Sequence, residues 1–270
     1  MPDPLGPTSP TVSPCPMSSE IPRRISTGPA LPRKERVASV RRSTFIHAAF
    51  AGVGQAGYGA KLVLRNLWFW LIFAGAAAHA ETVTIAALGD SLTEGYGLVA
   101  TDGFVPQLQD WLQANGVDVT VINAGVSGDT TAGGLSRVAW TLTPDVDAMI
   151  VALGGNDFLR GIDPATSRAN LRGILAAAQA QGVPVLLVGL EATGNYGAEF
   201  KADFDNMYPD LSAEFGVGLF PSFFQGIMEA GGEVRGLYFQ ADGIHPNAEG
   251  VKLEVAAIGP AVLDLIEKIE

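Results

Sequence analysis

The stretch IAALGDSLTEGYG, residues 85–97, combines the end of an apolar run with the start of a polar loop. Four apolar residues lead into Gly89 and Asp90, and Ser91 follows directly. An uninterrupted apolar run of this kind is typical of a strand buried in a parallel sheet. Taken alone, the stretch leaves two interpretations of Ser91 open: it is a catalytic nucleophile, or it only caps the next helix.

Apolar runs of the same kind recur along the chain and alternate with helical patterns. The runs cover residues 83–88, 117–122, 148–153, 183–190 and, more weakly, 217–220. Helical patterns include the spacing of Phe104, Leu108, Trp111 and Leu112, residues 163–182, and residues 248–269. Strands that alternate with helices predict a parallel sheet covered on both faces. Residues 81–270 are therefore predicted to form one α/β domain.

Charge is distributed unevenly between two parts of the chain. The 270 residues contain 17 Lys and Arg against 28 Asp and Glu, a formal net charge of -11. Residues 1–80 contain nine Lys or Arg and three Asp or Glu, which leaves 17 - 9 = 8 and 28 - 3 = 25 for residues 81–270, a net charge of -17. Because an acidic surface repels phosphate groups, we expect no nucleic-acid partner.

The first 80 residues differ in composition from the rest. Nine of the 17 prolines precede position 33, and residues 1–60 show no strand or helix period. We expect residues 1–60 to be a disordered extension, or to be untranslated because the true start lies near position 60.

Residues 61–80 have a basic start, twelve consecutive apolar residues and the small-residue pattern Ala78-His79-Ala80. This pattern predicts a signal peptide cleaved near Ala80 and a periplasmic or secreted protein. A membrane anchor is the alternative, although spanning a bilayer takes roughly 20 residues.

Three predicted strands are followed by loops of small and hydrogen-bonding residues. The loops are GDSL at residues 89–92, NAGVSGD at residues 123–129 and GGND at residues 154–157. Open parallel sheets bind ligands at the carboxyl ends of their strands, so we expect the three loops to share one edge. Asp90 and Asp157 are expected to cap helices or bind loop backbone, and Ser127 and Asp129 to organise the second loop.

A serine nucleophile requires a base, and residues 81–270 contain a single histidine, His245. Asp242 lies three residues earlier, where a turn at Gly243 can bring its carboxylate onto the imidazole. A loop histidine beside an Asx-turn is the alternative.

The oxyanion formed by attack on a carbonyl needs hydrogen-bond donors. The candidates are the N–H groups of Ser91 and Gly125 and the amide of Asn156. Gly125 is a candidate because backbone without a Cβ can approach substrate closely.

The chain offers little for a metal or a cofactor. Its only cysteine, Cys15, precedes the predicted domain, so residues 81–270 contain no thiol nucleophile, disulfide or thiolate metal site. One histidine and unclustered carboxylates do not predict a metal centre. The phosphate-binding pattern G-x-x-x-x-G-K-[ST] does not occur. We therefore expect neither metal nor cofactor.

Four blocks of the sequence together resemble one known family. GDSL, NAGVSGDTTAGG, LGGND and DGIHPN resemble the signature blocks of the SGNH hydrolases, also called GDSL esterases and lipases. The chain is most similar to the bacterial thioesterase I / lysophospholipase / arylesterase group, over nearly all of residues 83–265. The resemblance implies that Ser91 is the nucleophile, that Asp242 and His245 complete a triad, and that Gly125 and Asn156 are oxyanion donors. It also implies a three-layer α/β/α sandwich with a flavodoxin-like parallel sheet of about five strands.

The resemblance also implies a substrate class. Phe158, Leu159 and Ile162 are expected to border an acyl pocket, with a loop that packs its own apolar side chains as the alternative. Tyr96, Leu190 and Tyr196 are weaker candidates for the pocket wall. We expect a monomeric hydrolase of small-molecule acyl esters or thioesters. Two other functions stay open: a carbohydrate O-acetylesterase that uses the same catalytic site, and a binding module without catalysis on the same fold.

Overall fold

The computed structural model describes residues 82–231 and 235–269. The extension predicted for residues 1–60 and the signal peptide predicted for residues 61–80 lie outside these ranges, so both stay predictions. None of the helices within the described ranges has the combination of length and apolar character that crossing a bilayer requires.

Five parallel strands form the centre of the fold. They are β1 (Val83–Gly89), β2 (Val119–Gly125), β3 (Ala148–Ala152), β4 (Val185–Val188) and β5 (Gly218–Phe220). The spatial order is β2-β1-β3-β4-β5, and every neighbouring pair is parallel. β3 and β4 are buried along their whole length, as expected of strands covered on both faces. This is the flavodoxin-like order, and the predicted α/β sandwich is confirmed.

Nine α-helices connect and cover the strands within the described residues. They are α1 (Ser91–Glu94), α2 (Phe104–Ala114), α3 (Thr131–Thr141), α4 (Gly155–Leu159), α5 (Pro164–Ala180), α6 (Ala198–Phe215), α7 (Gln225–Glu229), α8 (Arg235–Tyr238) and α9 (Ala248–Ile266). α3, α5 and α6 pack side by side, and α9 packs against α2, α7 and α8. Short 3-10 turns occur at Ala100–Asp102 and Gly194–Tyr196.

The apolar stripe predicted for α2 faces the core. Phe104, Leu108 and Leu112 are buried, and Trp111 packs at the edge of the same core. A Cβ placed at Gly259 of α9 would lie 2.5 Å from the Trp111 ring, so a glycine is needed where the two helices meet. Close packing of this kind fixes α9, which follows directly on the loop that contains His245.

The strand β2 differs from its predicted bounds of residues 117–122. It begins at Val119 because the chain first turns at Gly116, whose φ is 86°. It continues to Gly125, and Asn123 and Gly125 pair with Ala87 and Gly89 of β1. Pairing uses only backbone groups, so it continues past the point where the apolar pattern stops. Gly125 is therefore part of the sheet, and the loop starts only at residue 126.

Candidate active site

The turn between β1 and α1 places Ser91 at the carboxyl edge of the sheet. Asp90 precedes the helix, and its Oδ1 accepts a hydrogen bond from the N–H of Leu92 at 3.0 Å. A Cβ at Gly89 would lie 1.9 Å from Oγ1 of Thr93, so only glycine allows the helix to fold back on the strand end. Ser91 is the first residue of α1, where a backbone N–H has no partner within the helix.

The loop before α9 brings Asp242 onto His245 in two ways. Oδ1 of Asp242 accepts the backbone N–H groups of Ile244 (2.9 Å) and His245 (3.0 Å), which forms an Asx-turn. Oδ2 lies 2.7 Å from Nδ1 of the His245 imidazole. Gly243 allows this turn with a φ of 68°. The two interpretations of the sequence thus coexist, because the Asx-turn itself aims the carboxylate at the ring.

A continuous hydrogen-bonded chain joins the three predicted triad residues. Nε2 of His245 lies 2.9 Å from Oγ of Ser91, on the opposite side of the ring from Asp242. A proton on Nδ1 that is donated to Asp242 leaves Nε2 as an acceptor for the serine hydroxyl. The backbone N–H groups of His245 and Ile244, followed by the imidazole, lower the pKa of Asp242 to about 2. Asp242 is therefore a stable anion at neutral pH.

A side-chain clamp keeps the histidine loop against the serine loop. Nε2 of Gln240 donates to the carbonyls of Tyr96 (2.8 Å) and Pro246 (3.0 Å), one on each loop. The Tyr96 ring lies against the His245 ring with a centroid separation of 4.7 Å. Nothing in the sequence alone singled out Gln240, because its partners are carbonyls 144 and six residues away.

Asn156 is connected to the turn that contains Ser91 by a hydrogen bond to Asp90. Nδ2 of Asn156 donates to Oδ2 of Asp90 at 3.3 Å, which leaves one N–H of the amide for a ligand. Asp90 is only 2 % exposed, and this burial raises its pKa to about 6 despite the hydrogen bonds that it accepts. Asp90 thus orients both α1 and the Asn156 amide, as expected from the sequence.

The structure corrects the placement of Gly125. Its backbone N–H donates to Oδ1 of Asn123 at 2.9 Å, so this donor is already occupied. A Cβ at Gly125 would lie 2.3 Å from the backbone nitrogen of Glu94. Gly125 therefore lacks a side chain because α1 packs against it, and it does not line the cavity beside Ser91.

Gly128 is the glycine of the second loop that lines this cavity. Its φ of 79° is one that favours glycine, and the described residues provide no acceptor for its N–H or for that of Ser91. Two unpaired backbone N–H groups and one amide are thus available beside the serine hydroxyl. The sequence could have indicated Gly128, which lies between the polar residues Ser127 and Asp129. It was missed because the strand was predicted to end at residue 122 and not at Gly125.

Polar side chains organise these loops. The carboxylate of Glu94 accepts both the backbone N–H of Ser127 (2.9 Å) and its hydroxyl. Asp157 is fully buried and accepts the N–H (2.8 Å) and hydroxyl (2.6 Å) of Thr131 and the hydroxyl of Ser167 (2.8 Å). These contacts tie the loops that contain Ser91, Gly128 and Asn156 to one another and to α3 and α5.

A cavity of about 440 Å³ opens at the serine hydroxyl. Its lining is mainly apolar and includes Leu92, Phe158, Leu159, Leu190 and Phe204. The Phe204 ring is tilted against that of Phe158 and packs edge to face with that of Tyr208, with a centroid separation of 5.8 Å in each pair. An apolar cavity with a few convergent polar groups is the usual form of a small-molecule site.

Some of the residues predicted to form the cavity wall line the cavity, and others do not. Phe158, Leu159, Tyr96 and Leu190 line the cavity, whereas Ile162 does not. The chain turns at Gly161, with a φ of 61°, and the N–H of Ile162 closes the turn on the carbonyl of Asp157. This turn takes residue 162 past the cavity. Tyr196 is exposed and does not line the cavity either, although its ring lies 5.7 Å from that of Phe158.

The described residues include no group of three or more His, Cys, Asp or Glu side chains placed to hold a metal ion. A parallel α/β sheet with a Ser–His–Asp chain and free N–H donors at its carboxyl edge defines a serine hydrolase.

Comparison with known proteins identifies the family. Residues 87–253 match the GDSL-like Lipase/Acylhydrolase family. The chain belongs to this family and is a serine hydrolase of ester bonds.

Individual relatives agree with this assignment. The chain is 40 % identical over 169 residues to Esterase TesA of Pseudomonas aeruginosa, which covers 62 % of this chain and 82 % of that protein. It is 33 % identical over 190 residues to the Arylesterase of Vibrio mimicus, covering 69 % and 92 %. The crystal structure of AlinE4, an SGNH-hydrolase family esterase, superposes with a TM-score of 0.56 at 43 % identity, covering 68 % of this chain and 96 % of that one.

Proposed function

We propose that this protein hydrolyses carboxylic esters or thioesters with an apolar acyl group through an acyl-enzyme on Ser91. The observation that supports the proposal most directly is the hydrogen-bonded chain from Ser91 through His245 to Asp242 at the mouth of an apolar cavity. The names of the relatives, which include an esterase and an arylesterase, are in agreement.

Ser91 Oγ attacks the acyl carbon while Nε2 of His245 accepts its proton. The carbonyl oxygen becomes an alkoxide, which the N–H groups of Ser91 and Gly128 and the Asn156 amide stabilise. The tetrahedral intermediate then expels the alcohol or thiol, which takes the proton from His245. Water attacks the acyl-enzyme with the help of the same base, releases the acid and restores Ser91.

Asp242 contributes by orienting the imidazole and stabilising the imidazolium that forms in each step. Because its own anion is stabilised by two backbone N–H groups, it does not take the proton from the ring.

The test is a panel of p-nitrophenyl esters from acetyl to palmitoyl, an acyl-CoA and a lysophospholipid, assayed with the wild type and Ser91→Ala. We expect Ser91→Ala to lower kcat by about 10⁴- to 10⁶-fold on every substrate that is turned over. Ser136→Ala is the matched control, because this exposed serine donates only to the carbonyl of Gly133. Equal rates for Ser91→Ala and the wild type would refute the mechanism.

The same panel separates the proposal from a carbohydrate O-acetylesterase. An apolar cavity favours medium or long acyl groups, because each buried methylene contributes about 0.8 kcal/mol to binding. We therefore expect kcat/KM to rise from acetyl to longer acyl chains. Activity confined to acetyl esters would favour the carbohydrate esterase instead.

We also propose that the enzyme is exported and cleaved near Ala80, and that it acts as a monomer in the periplasm or outside the cell. The proposal is based on the basic, apolar and small-residue pattern of residues 61–80. Terminal sequencing of the exported protein tests it, and we expect a start at Glu81. A mature terminus well before Glu81 would contradict it, and gel filtration tests the monomer.

A further inference from the structure

Arg137 of α3 contacts both loops that supply backbone N–H groups to the site. Its Nη2 donates to the carbonyl of Gly89 at 2.8 Å, and its Nη1 donates to the carbonyl of Ala124 at 2.7 Å. Its Nε donates to Oδ2 of Asp129 at 2.7 Å. One guanidinium thus joins the end of β1, the end of β2 and the loop that follows β2.

Each of these contacts lies close in the chain to a proposed oxyanion donor. Gly89 precedes Ser91 by two residues, and Asp129 directly follows Gly128. The Arg137 side chain is 23 % exposed and that of Asp129 is 13 % exposed, so water screens their ion pair only in part. The guanidinium therefore contributes a rigid, charged contact to the separation of the two N–H groups, beside the hydrogen bond from the Val126 N–H to the carbonyl of Gly89.

We propose that Arg137 is a positioning residue of the oxyanion hole, which holds the loops of Ser91 and Gly128 at the separation that the tetrahedral alkoxide requires. The inference rests on the proposed function, because it presupposes attack by Ser91. Arg160 also holds Gly128, through its carbonyl at 2.7 Å, but Arg160 is exposed and contacts only that loop. Of these two arginines, Arg137 is the one that reaches both loops, and it adds to the contacts of Glu94 with Ser127 and of the Val126 N–H with the carbonyl of Gly89.

The planar fork explains why arginine is needed. Its N–H groups point in fixed directions and reach three acceptors at once, whereas lysine offers a single ammonium on a flexible stem. Arg137→Lys therefore keeps the charge and releases at least one loop. The substrate cavity itself is unchanged, because Arg137 does not line it.

The first measurement is the kinetic effect of Arg137→Lys on the best p-nitrophenyl ester. We expect kcat to fall by about 10- to 100-fold, less than for loss of a whole oxyanion donor, and KM to change by less than about threefold. Arg172→Lys is the matched control, because Arg172 forms a comparable fork with Glu214 on the exposed surface and neither residue lines the cavity. We expect its kinetics to equal those of the wild type.

The second measurement uses two inhibitors that share the same alkyl chain and trifluoromethyl group. Ser91 Oγ adds to the carbonyl carbon of an alkyl trifluoromethyl ketone, its proton passes to His245, and the ketone oxygen becomes an alkoxide in the oxyanion hole. The corresponding trifluoromethyl carbinol fills the cavity without reacting. We expect Arg137→Lys to weaken inhibition by the ketone about 10-fold or more and to leave inhibition by the carbinol within about twofold.

The outcomes separate this inference from the proposed function. If the wild type neither hydrolyses the esters nor binds the ketone better than the carbinol, the proposed function fails. If the wild type does both and Arg137→Lys has unchanged kinetics, or loses affinity for both inhibitors equally, the role of Arg137 is overturned. Circular dichroism and thermal melting check folding; should Arg137→Lys not fold, Arg137→Gln is measured in the same way. If neither variant folds, Arg137 has a structural role and the proposal is overturned.

Discussion

Asp242 uses one carboxylate for two tasks, the turn before α9 and the contact with His245. The backbone N–H groups that hold Oδ1 also keep the group ionised, with a pKa near 2. A carboxyl whose pKa is lowered on folding stabilises the folded state above its usual pKa of about 3.9, and this contribution disappears as the pH falls through 2. Asp242 should therefore remain ionised throughout an assay from pH 5 to 9.

Asp242→Asn tests this anion. The amide retains the shape of the carboxylate and loses the charge that stabilises the imidazolium, so we expect kcat to fall by about 10²- to 10⁴-fold with a smaller change in KM. Steady-state kinetics across pH 5 to 9 measure the effect. If the loss occurred only at one end of this range, the pKa assigned to Asp242 would be wrong.

Asn156→Ala tests the side-chain donor of the oxyanion hole. We expect kcat to fall by about 10²- to 10³-fold, because one donor to the alkoxide is removed while the apolar cavity stays intact. Asn170→Ala is a control, since its amide donates to Oγ1 of Thr131 and does not line the cavity. A rise in KM without a loss of kcat would instead indicate that Asn156 binds the ground state.

Among the elements, α9 and α7 meet through a buried carboxyl group. Glu254 of α9 is 1 % exposed and accepts the N–H groups of Gly226 (2.9 Å) and Ile227 (3.2 Å). Burial raises the pKa of Glu254 to about 7, although both hydrogen bonds favour the anion. Between about pH 4.5 and 7 the folded protein retains a proton that the unfolded chain releases. This group therefore makes the folded state less stable as the pH rises through that interval.

Glu254→Gln removes this titration. We expect the free energy of unfolding of the wild type, minus that of the variant, to decrease as the pH rises from 4.5 to 7 and to level off above that. Urea unfolding at pH 5, 6, 7 and 8 measures the difference, with Glu249→Gln on the exposed face of the same helix as control. A difference independent of pH would show that Glu254 does not change ionisation in this interval.

Element boundaries explain why part of the site was predictable and part was not. Ser91, Asp242 and His245 were predicted because few residue types can perform their chemistry and the chain offers one histidine after residue 80. The end of β2 was not predicted, because Asn123 and Gly125 pair through backbone in an edge strand without an apolar signal. That error of three residues selected Gly125 instead of Gly128.

Two long helices were not predicted, for similar reasons. α3 contains Gly133 and Gly134, which lower helix propensity, yet a Cβ at Gly134 would lie 2.3 Å from Leu153. α6 contains Pro209 and starts without a side-chain cap. In both cases packing against the rest of the protein outweighs a weak local preference for helix.

At the scale of the whole molecule, fold class followed from alternation alone, because near-continuous apolar strands between helices can bury both faces only in a parallel sheet. Net charge is a second property of the molecule as a whole, and it determines the long-range electrostatic interaction with substrates. Residues 81–270 have a formal net charge of -17, so this part of the chain repels anionic substrates beyond the reach of any single contact.

Salt dependence tests this repulsion. Acyl-CoA has a polyanionic leaving group, whereas p-nitrophenyl esters of the same acyl chain are neutral. We expect kcat/KM for the acyl-CoA to rise about two- to tenfold between 10 and 300 mM salt, because screening shortens the range of the repulsion. The neutral ester should change little. A flat or falling profile for acyl-CoA would indicate that local cations, such as Arg160, outweigh the net charge.

The aromatic wall of the cavity suggests how enzymes of this design can diversify. Phe204 belongs to α6, whereas Ser91, Gly128, Asn156 and His245 lie on loops or short helices at the strand ends. Leu92 and Phe158 of the cavity wall adjoin Ser91 and Asn156 in the chain, but Phe204 lies in a separate stretch. Substitutions at Phe204 can therefore change the shape of the cavity without replacing any group of the Ser91–His245–Asp242 chain, so related enzymes can differ in the acyl groups they accept and still share one mechanism.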